Sequence, residues 1–424
     1  MKKSFLEILP VFLLVLAIGF SPSFSAGKIE SGKDLEIRVE DILLVIFGLV
    51  WLFGFLISGK RSIEKPPLFF PILAWVGVGF FSVLINWILG NISYSQGFFF
   101  FFKEVEIFFL YFYVYYHLEN FSQIKFIIKT WIFIVLINIG WIIYELVTGL
   151  TLTYHYGPTP FIEPNGPLPA GGFFLMIFVF LFNVFLFYNL SQKCSKFKKV
   201  ILGIMIASPV LGLLSSGSRA SFYGLILALF LTLFLYFLKK GIRKLFLILF
   251  LASVLIAITF LFLSTKVPRL DRLVNMKLIL FEFTTKEHAR GSIWELQISE
   301  ISKHPLTLFF GLGKSFLLGG QQSHNQFLKN LGETGIVGSL MFFFLIYSIL
   351  KKSLKGLLSE KNTLTMSLCA GLFVATMSML LISIVGEAFM VVKPNEAYWF
   401  FAALTMVSFN FNKEKLKNYE PPRI

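Results

Sequence analysis

The chain is short of charge. Only 14% of its 424 residues are Asp, Glu, Lys or Arg, where a soluble domain carries about 25%. That shortage, with 56% hydrophobic residues and a mean hydropathy of +0.79, excludes an ordinary water-soluble fold. Cysteine is nearly absent. Cys194 stands in a basic loop and Cys369 inside an apolar run, a placement that gives neither a disulfide framework nor a metal motif. The five histidines are scattered, so no histidine cluster marks a metal site. No metal and no cofactor is expected, and no internal repeat is visible.

What is present is apolar sequence in long runs. A membrane span needs about 20 such residues. Runs of that kind lie near 5–21, 41–58, 68–90, 98–118, 126–149, 169–190, 200–216, 221–238, 245–264, 325–350, 363–385 and 396–411. The reading is an all-α polytopic membrane protein of about twelve transmembrane helices, with one long loop carrying a short amphipathic helix. Residues 1–25 have the look of a signal peptide. An uncleaved first span is the preferred reading, since many more spans follow. The chain divides into helices 1–9 over 1–264, the long loop over 265–323, and helices 10–12 with a tail over 324–424.

The net charge of +15 is not a nucleic-acid footprint. Its lysines and arginines sit in short loops such as Lys196, Lys198 and Lys199, or Lys239, Lys240, Arg243 and Lys244. That is the orientation signal of membrane proteins. It places those loops in the cytoplasm and puts the 265–323 segment, with Arg219, on the outer side. A loop of that length is usually functional. Within it Trp294, Ile298 and Ile301 recur at helical spacing, which predicts a helix at the membrane surface. Pro305 is expected to end that helix, and Gly311 and Gly313 to turn the chain.

Several residues stand out as candidates. Arg219 lies among Ser215, Ser216, Gly217, Ser218 and Ser221 at an outer break. Small residues let backbone N–H groups and hydroxyls approach an anion. Arg290 starts the surface helix, where an anion is favoured. His324, between the N-cap candidates Ser323 and Asn325, is either a residue of the helix start or a general base, and both readings stay open. Lys103, Glu104 and Glu106 fall inside the fourth span, and Glu145 inside the fifth; such charges are paired or functional. Gly332, Gly335 and Gly338 read as close helix packing. Gly313-Lys314-Ser315 is no phosphate loop, because Leu308 stands where the first glycine is needed. Asp34, Glu36, Glu40 and Asp41 read as a solvated, mixed-charge face.

Taken as a set, these pieces resemble the O-antigen ligase and O-antigen polymerase superfamily of bacterial membrane glycosyltransferases. The resemblance rests on Ser218-Arg219, on Arg290 with Trp294, on Pro305 with Gly311-x-Gly313, and on Ser323-His324-Asn325 followed by Gly335, with Glu163-Pro164-Asn165 beside them. It implies a multi-pass protein of the inner membrane with a periplasmic site. It implies a metal-independent, inverting glycosyltransferase whose donor is a glycan on polyprenyl (undecaprenyl) diphosphate. The acceptor would be lipid A–core for a ligase, in lipopolysaccharide biosynthesis, or another repeat unit for a polymerase. Carried over by motif, Arg219 and Arg290 would bind the diphosphate and His324 would activate the acceptor hydroxyl, with Ser218, Lys103 and Asn325 in support. The alternative from another class is a lipid-linked glycan flippase or transporter. That reading calls for repeated halves and midplane polar sites.

Overall fold

The computed structural model describes residues 2–20, 23–28, 34–58, 65–149, 167–193, 195–240, 290–314 and 323–417. The order of elements is α1 (Lys2–Phe20), β1 (Ser23–Lys28), β2 (Asp34–Arg38), α2 (Val39–Ser58), α3 (Phe69–Ile88), α4 (Tyr94–His117), α5 (Phe121–Thr148) and α6 (Pro167–Asn183). Then come α7 (Lys196–Ala207), α8 (Pro209–Ser215), α9 (Arg219–Lys240), α10 (Arg290–Ser302), α11 (Pro305–Phe310), α12 (Gln326–Ser359), α13 (Thr363–Ile382) and α14 (Val392–Lys417). Among the described residues, seven helical stretches are long and apolar enough to cross a membrane. The architecture is therefore polytopic and helical. The span expected at 245–264 and the family element at 163–165 lie outside the described residues.

Short polar residues start the helices. Ser93, Asn120, Asn325 and Asn362 each accept a hydrogen bond from a backbone N–H of the turn they begin, which satisfies donors that a helix start leaves open. The stretch expected as one span at 200–216 is two helices, because Pro209 lacks the N–H that would continue α7.

The centre of the bundle is α6, with 89% of its span buried, against 33% for the α7–α8 pair. Phe180 of α6 stacks on Phe401 of α14 at 4.2 Å between ring centroids, and Trp131 of α5 lies against Phe401 at 5.3 Å. Aromatic packing of this kind contributes where no hydrophobic drive separates helix from lipid. α13 packs on α9, α12 and α6, and α14 packs on α4 and α6.

One end of this bundle gathers the starts of several helices. Lys393 at the start of α14 pairs with Glu40 at the start of α2. Gly172 near the start of α6 approaches Pro394 so closely that a Cβ there would lie 2.8 Å from the proline Cγ. The Gln326 N–H at the start of α12 donates to the Ser383 carbonyl just past α13, at 2.9 Å. We call this the head end. The β1–β2 hairpin leads into α2 here, pairing Ser23 with Arg38 and Phe24 with Ile37 in antiparallel register. It was not expected, although β2 alternates Leu35 and Ile37 with charged residues, the period-two pattern of a strand.

Candidate active site

His324 carries the strongest local signal. Its φ is 48°, and among the described residues it is the non-glycine in the left-handed region. Such a backbone costs about 1–2 kcal/mol and persists only where the surroundings over-determine it. They do so here. The Ser323 carbonyl accepts from the Trp294 indole N–H at 2.8 Å. The Ser323 hydroxyl donates to the Asn325 carbonyl at 3.1 Å and lies 3.3 Å from a Glu387 carboxylate oxygen. Asn325 caps α12 through its Oδ1, which accepts from Phe327 N at 2.9 Å and Leu328 N at 3.0 Å, while its amide donates to the Ile384 carbonyl at 3.0 Å. Ser323 and Asn325 are buried between these anchors, and His324 is exposed between them. The triplet thus fixes a backbone and presents one imidazole.

The surface helix forms as α10. Ile301 is buried and Ile298 is 48% exposed. Gln297 takes the inward position, donating from its amide to the Leu328 carbonyl at 2.9 Å. The reason lies in α12: Gly332 has no side chain, and a Cβ there would collide with the Gln297 amide. Pro305 does not simply end α10. It is the first residue of α11, a position that needs no N–H. Arg290 is the first residue of α10, and through Trp294 that helix is tied to the His324 triplet.

Arg219 is half-buried at the first position of α9, where the helix dipole adds to its positive charge. The serines around it are committed differently from the expected anion cradle. Ser215 and Ser216 donate back to the Gly212 and Leu213 carbonyls, at 2.9 and 2.6 Å. Ser218 donates to the Ser221 hydroxyl at 2.9 Å, and its oxygen accepts from Ser221 N at 3.3 Å, so Ser218 caps α9. Gly171 of α6 lies against this turn; a Cβ there would meet Ser218 and Ser221 at 2.7 and 2.8 Å.

The intramembrane charges resolve into pairs. Lys103 binds Asp41 and lies 3.4 Å from Glu106. Glu104 takes a different partner, Lys314, at 2.7 Å, and also accepts from the Trp75 indole at 2.6 Å. Lys314 is 2% exposed and has Glu333 as its second carboxylate, at 3.4 Å. Burial alone would depress its ammonium, but Glu104 and Glu333 outweigh that and hold it above the ordinary lysine value. The lysine of the rejected phosphate loop is thus the centre of a buried ion triad. Glu145 accepts from the Trp141 indole at 3.1 Å.

Glu40 and Asp41 are not a solvated face. They are 0% and 8% exposed. With Glu396 they place carboxylate oxygens within 4.8 Å of one another, near metal-ligand spacing, but Lys393 binds Glu40 and lies 3.5 Å from Glu396. An ammonium thus stands among these carboxylates. Lys393, Glu396 and Glu387 escaped the sequence reading. Glu387, which pairs with Lys329 and faces Ser323, lies beyond a span end with no periodic signal. Lys393 meets a partner 353 residues away.

The fold defines a polytopic, predominantly helical membrane protein with paired charges and a strained histidine at its head end. Residues 200–343 of this chain match the family model described as O-antigen ligase, which supports a place in the O-antigen ligase and polymerase superfamily. The matched stretch contains Arg219, Arg290 and His324. It supports a glycosyltransferase-like enzyme acting in surface polysaccharide biosynthesis. No curated protein matches the chain.

Proposed function

We propose that this protein is an O-antigen ligase-like, metal-independent, inverting glycosyltransferase of the bacterial inner membrane. It moves a glycan from polyprenyl diphosphate to a hydroxyl of an acceptor such as lipid A–core, on the periplasmic side. The observation that carries the reading is the strained, exposed His324, held by bonds on both sides, inside the stretch that matches the O-antigen ligase family.

The chemistry has three parts. The leaving diphosphate gains negative charge as the anomeric C–O bond breaks, and the guanidinium groups of Arg219 and Arg290 stabilise that charge with fixed, permanently protonated donors. The His324 imidazole takes the proton of the acceptor hydroxyl as its oxygen attacks the opposite face of the anomeric carbon. One displacement inverts that carbon. Ser218 caps the helix that carries Arg219, and Asn325 caps the helix that follows His324.

A lipopolysaccharide gel on a deletion strain complemented with wild type or His324→Ala tests this. Lipid A–core without attached glycan, with polymer left on the carrier, is the expected outcome for the variant. Core bearing a single repeat unit would instead make the protein a polymerase. An unchanged ladder would remove both readings for this glycan and favour a flippase or transporter.

A further inference from the structure

The turn between α13 and α14 is bonded to the residues on both sides of His324. The Asn325 amide donates to its Ile384 carbonyl at 3.0 Å, and the Gln326 N–H donates to its Ser383 carbonyl at 2.9 Å. In return the Phe389 N–H of the turn donates to the Gln326 side-chain oxygen at 3.1 Å. Glu387 stands within this turn and is 8% exposed. Its backbone carbonyl accepts from Met390 N at 2.9 Å and from Val391 N at 3.1 Å. The side chain of Glu387 therefore starts from a fixed backbone.

The two carboxylate oxygens of Glu387 have different partners. Oε1 lies 3.3 Å from the Ser323 hydroxyl, just before His324. Oε2 pairs with the Lys329 ammonium, a turn into α12. Lys329 thus orients the carboxylate and leaves its other oxygen to the hydroxyl. A serine hydroxyl has a single proton, and this one has two acceptors within reach, the Asn325 carbonyl and Glu387. The contact to Asn325 closes a ring across His324, and Glu387 fixes the hydroxyl that closes it. A charged acceptor makes roughly twice the bond that a neutral one does. The His324 backbone, at φ 48°, needs such holding, since a left-handed residue relaxes where its surroundings let it.

We propose that Glu387 is a positioning residue for His324: oriented by Lys329 and acting through the Ser323 hydroxyl, it holds the imidazole-bearing backbone in the conformation used for transfer. This assignment rests on the glycan-transfer reading above.

The test is steady-state kinetics of the purified full chain with polyprenyl-diphosphate-linked glycan and lipid A–core. Removing one charge of a buried pair is destabilising in itself, so the pair is replaced together. Glu387→Leu with Lys329→Met removes the acceptor from Ser323, and kcat is expected to fall about tenfold. KM for the donor is expected to stay unchanged, because Arg219 and Arg290 bind it. Glu387→Gln with Lys329→Met restores an oxygen to the Ser323 hydroxyl and recovers most of the loss. Ser323→Ala, which disturbs no charge, lowers kcat to the same extent. Adding it to the Leu–Met variant brings no further loss, because both changes break one contact. Glu387→Asp keeps a charge for the flexible lysine but falls a methylene short of Ser323, and it shows the same fall in kcat if the Leu–Met variant does not fold. Wild-type kcat in Ser323→Ala or in the Glu387 variants, or losses that multiply on combination, would overturn the assignment; the glycan-transfer reading would still stand if His324→Ala abolished transfer. Transfer by His324→Ala at the wild-type rate would remove that reading and this assignment with it.

Discussion

At the scale of single residues, His324 concentrates the argument. Its left-handed backbone is a cost to the fold that glycine would not bear. His324→Gly is therefore expected to unfold in detergent at the same temperature as wild type or a few degrees higher, while losing glycan transfer. Thermal unfolding beside a transfer assay checks it. A variant that loses both together would make His324 structural. General-base catalysis contributes about 10²- to 10⁴-fold, so the expected loss of rate is in that range. Lys314 behaves in the opposite way. Replacing it with Ala removes the buried cation that Glu104 and Glu333 share, and breaking such a pair costs about 3–5 kcal/mol. Lys314→Ala is expected to lower the unfolding temperature strongly or to prevent accumulation, and Lys314→Ala with Glu104→Gln to recover part of it.

At the scale of elements, the break in α12 does most to shape the site. Gly335 has φ 67° and ψ −165° inside a helix. A Cβ there would run into the Phe309 backbone, and one at Gly311, with φ 74°, into the Glu333 backbone. The two glycines thus let the 311–314 loop and the break approach each other. Leu312 N donates to the Gly332 carbonyl at 2.7 Å, Ser82 Oγ to the Glu333 carbonyl at 2.5 Å, and the Asn86 amide to the Gly311 carbonyl at 3.0 Å. Gly335→Ala combines left-handed strain with a backbone collision and is expected to cost well over 2 kcal/mol. Gly217→Ala, with φ 67° and nothing within 4 Å of its Cβ, is expected to cost only the strain, about 1 kcal/mol. Equal losses of unfolding temperature in the two variants would show that the close approach at Gly335 carries no weight. In the sequence Gly332, Gly335 and Gly338 looked alike, as packing residues spaced every third position. Spacing shows that small residues share a helix face. It does not show which of them leaves the helical conformation.

At the scale of the whole molecule, the spans were legible because lipid demands long apolar runs and closed backbone hydrogen bonding. Among the described residues helices fall where those runs are, and Asn325 caps α12 as its residue type suggests. Partnership was not legible. Lys103 had two acidic neighbours in its own helix, and one of its partners, Asp41, comes from α2 instead. Glu40 looked solvated because its loop is charged, but it is buried and pairs with Lys393 of α14. The surface helix was found, but the docking of Gln297 was not legible, since it enters a gap that Gly332 leaves on another helix. Long-range pairs of this kind arise from the tertiary fold and leave no periodicity in the chain.

The central claim is that the head end transfers a glycan with His324 as base. The most direct test is transfer from polyprenyl-diphosphate-linked glycan to lipid A–core by the purified protein, comparing wild type with His324→Ala and Arg219→Ala. The account predicts transfer by wild type, a loss of at least about 100-fold in each variant, and unfolding temperatures close to wild type. Transfer by His324→Ala at the wild-type rate would contradict it.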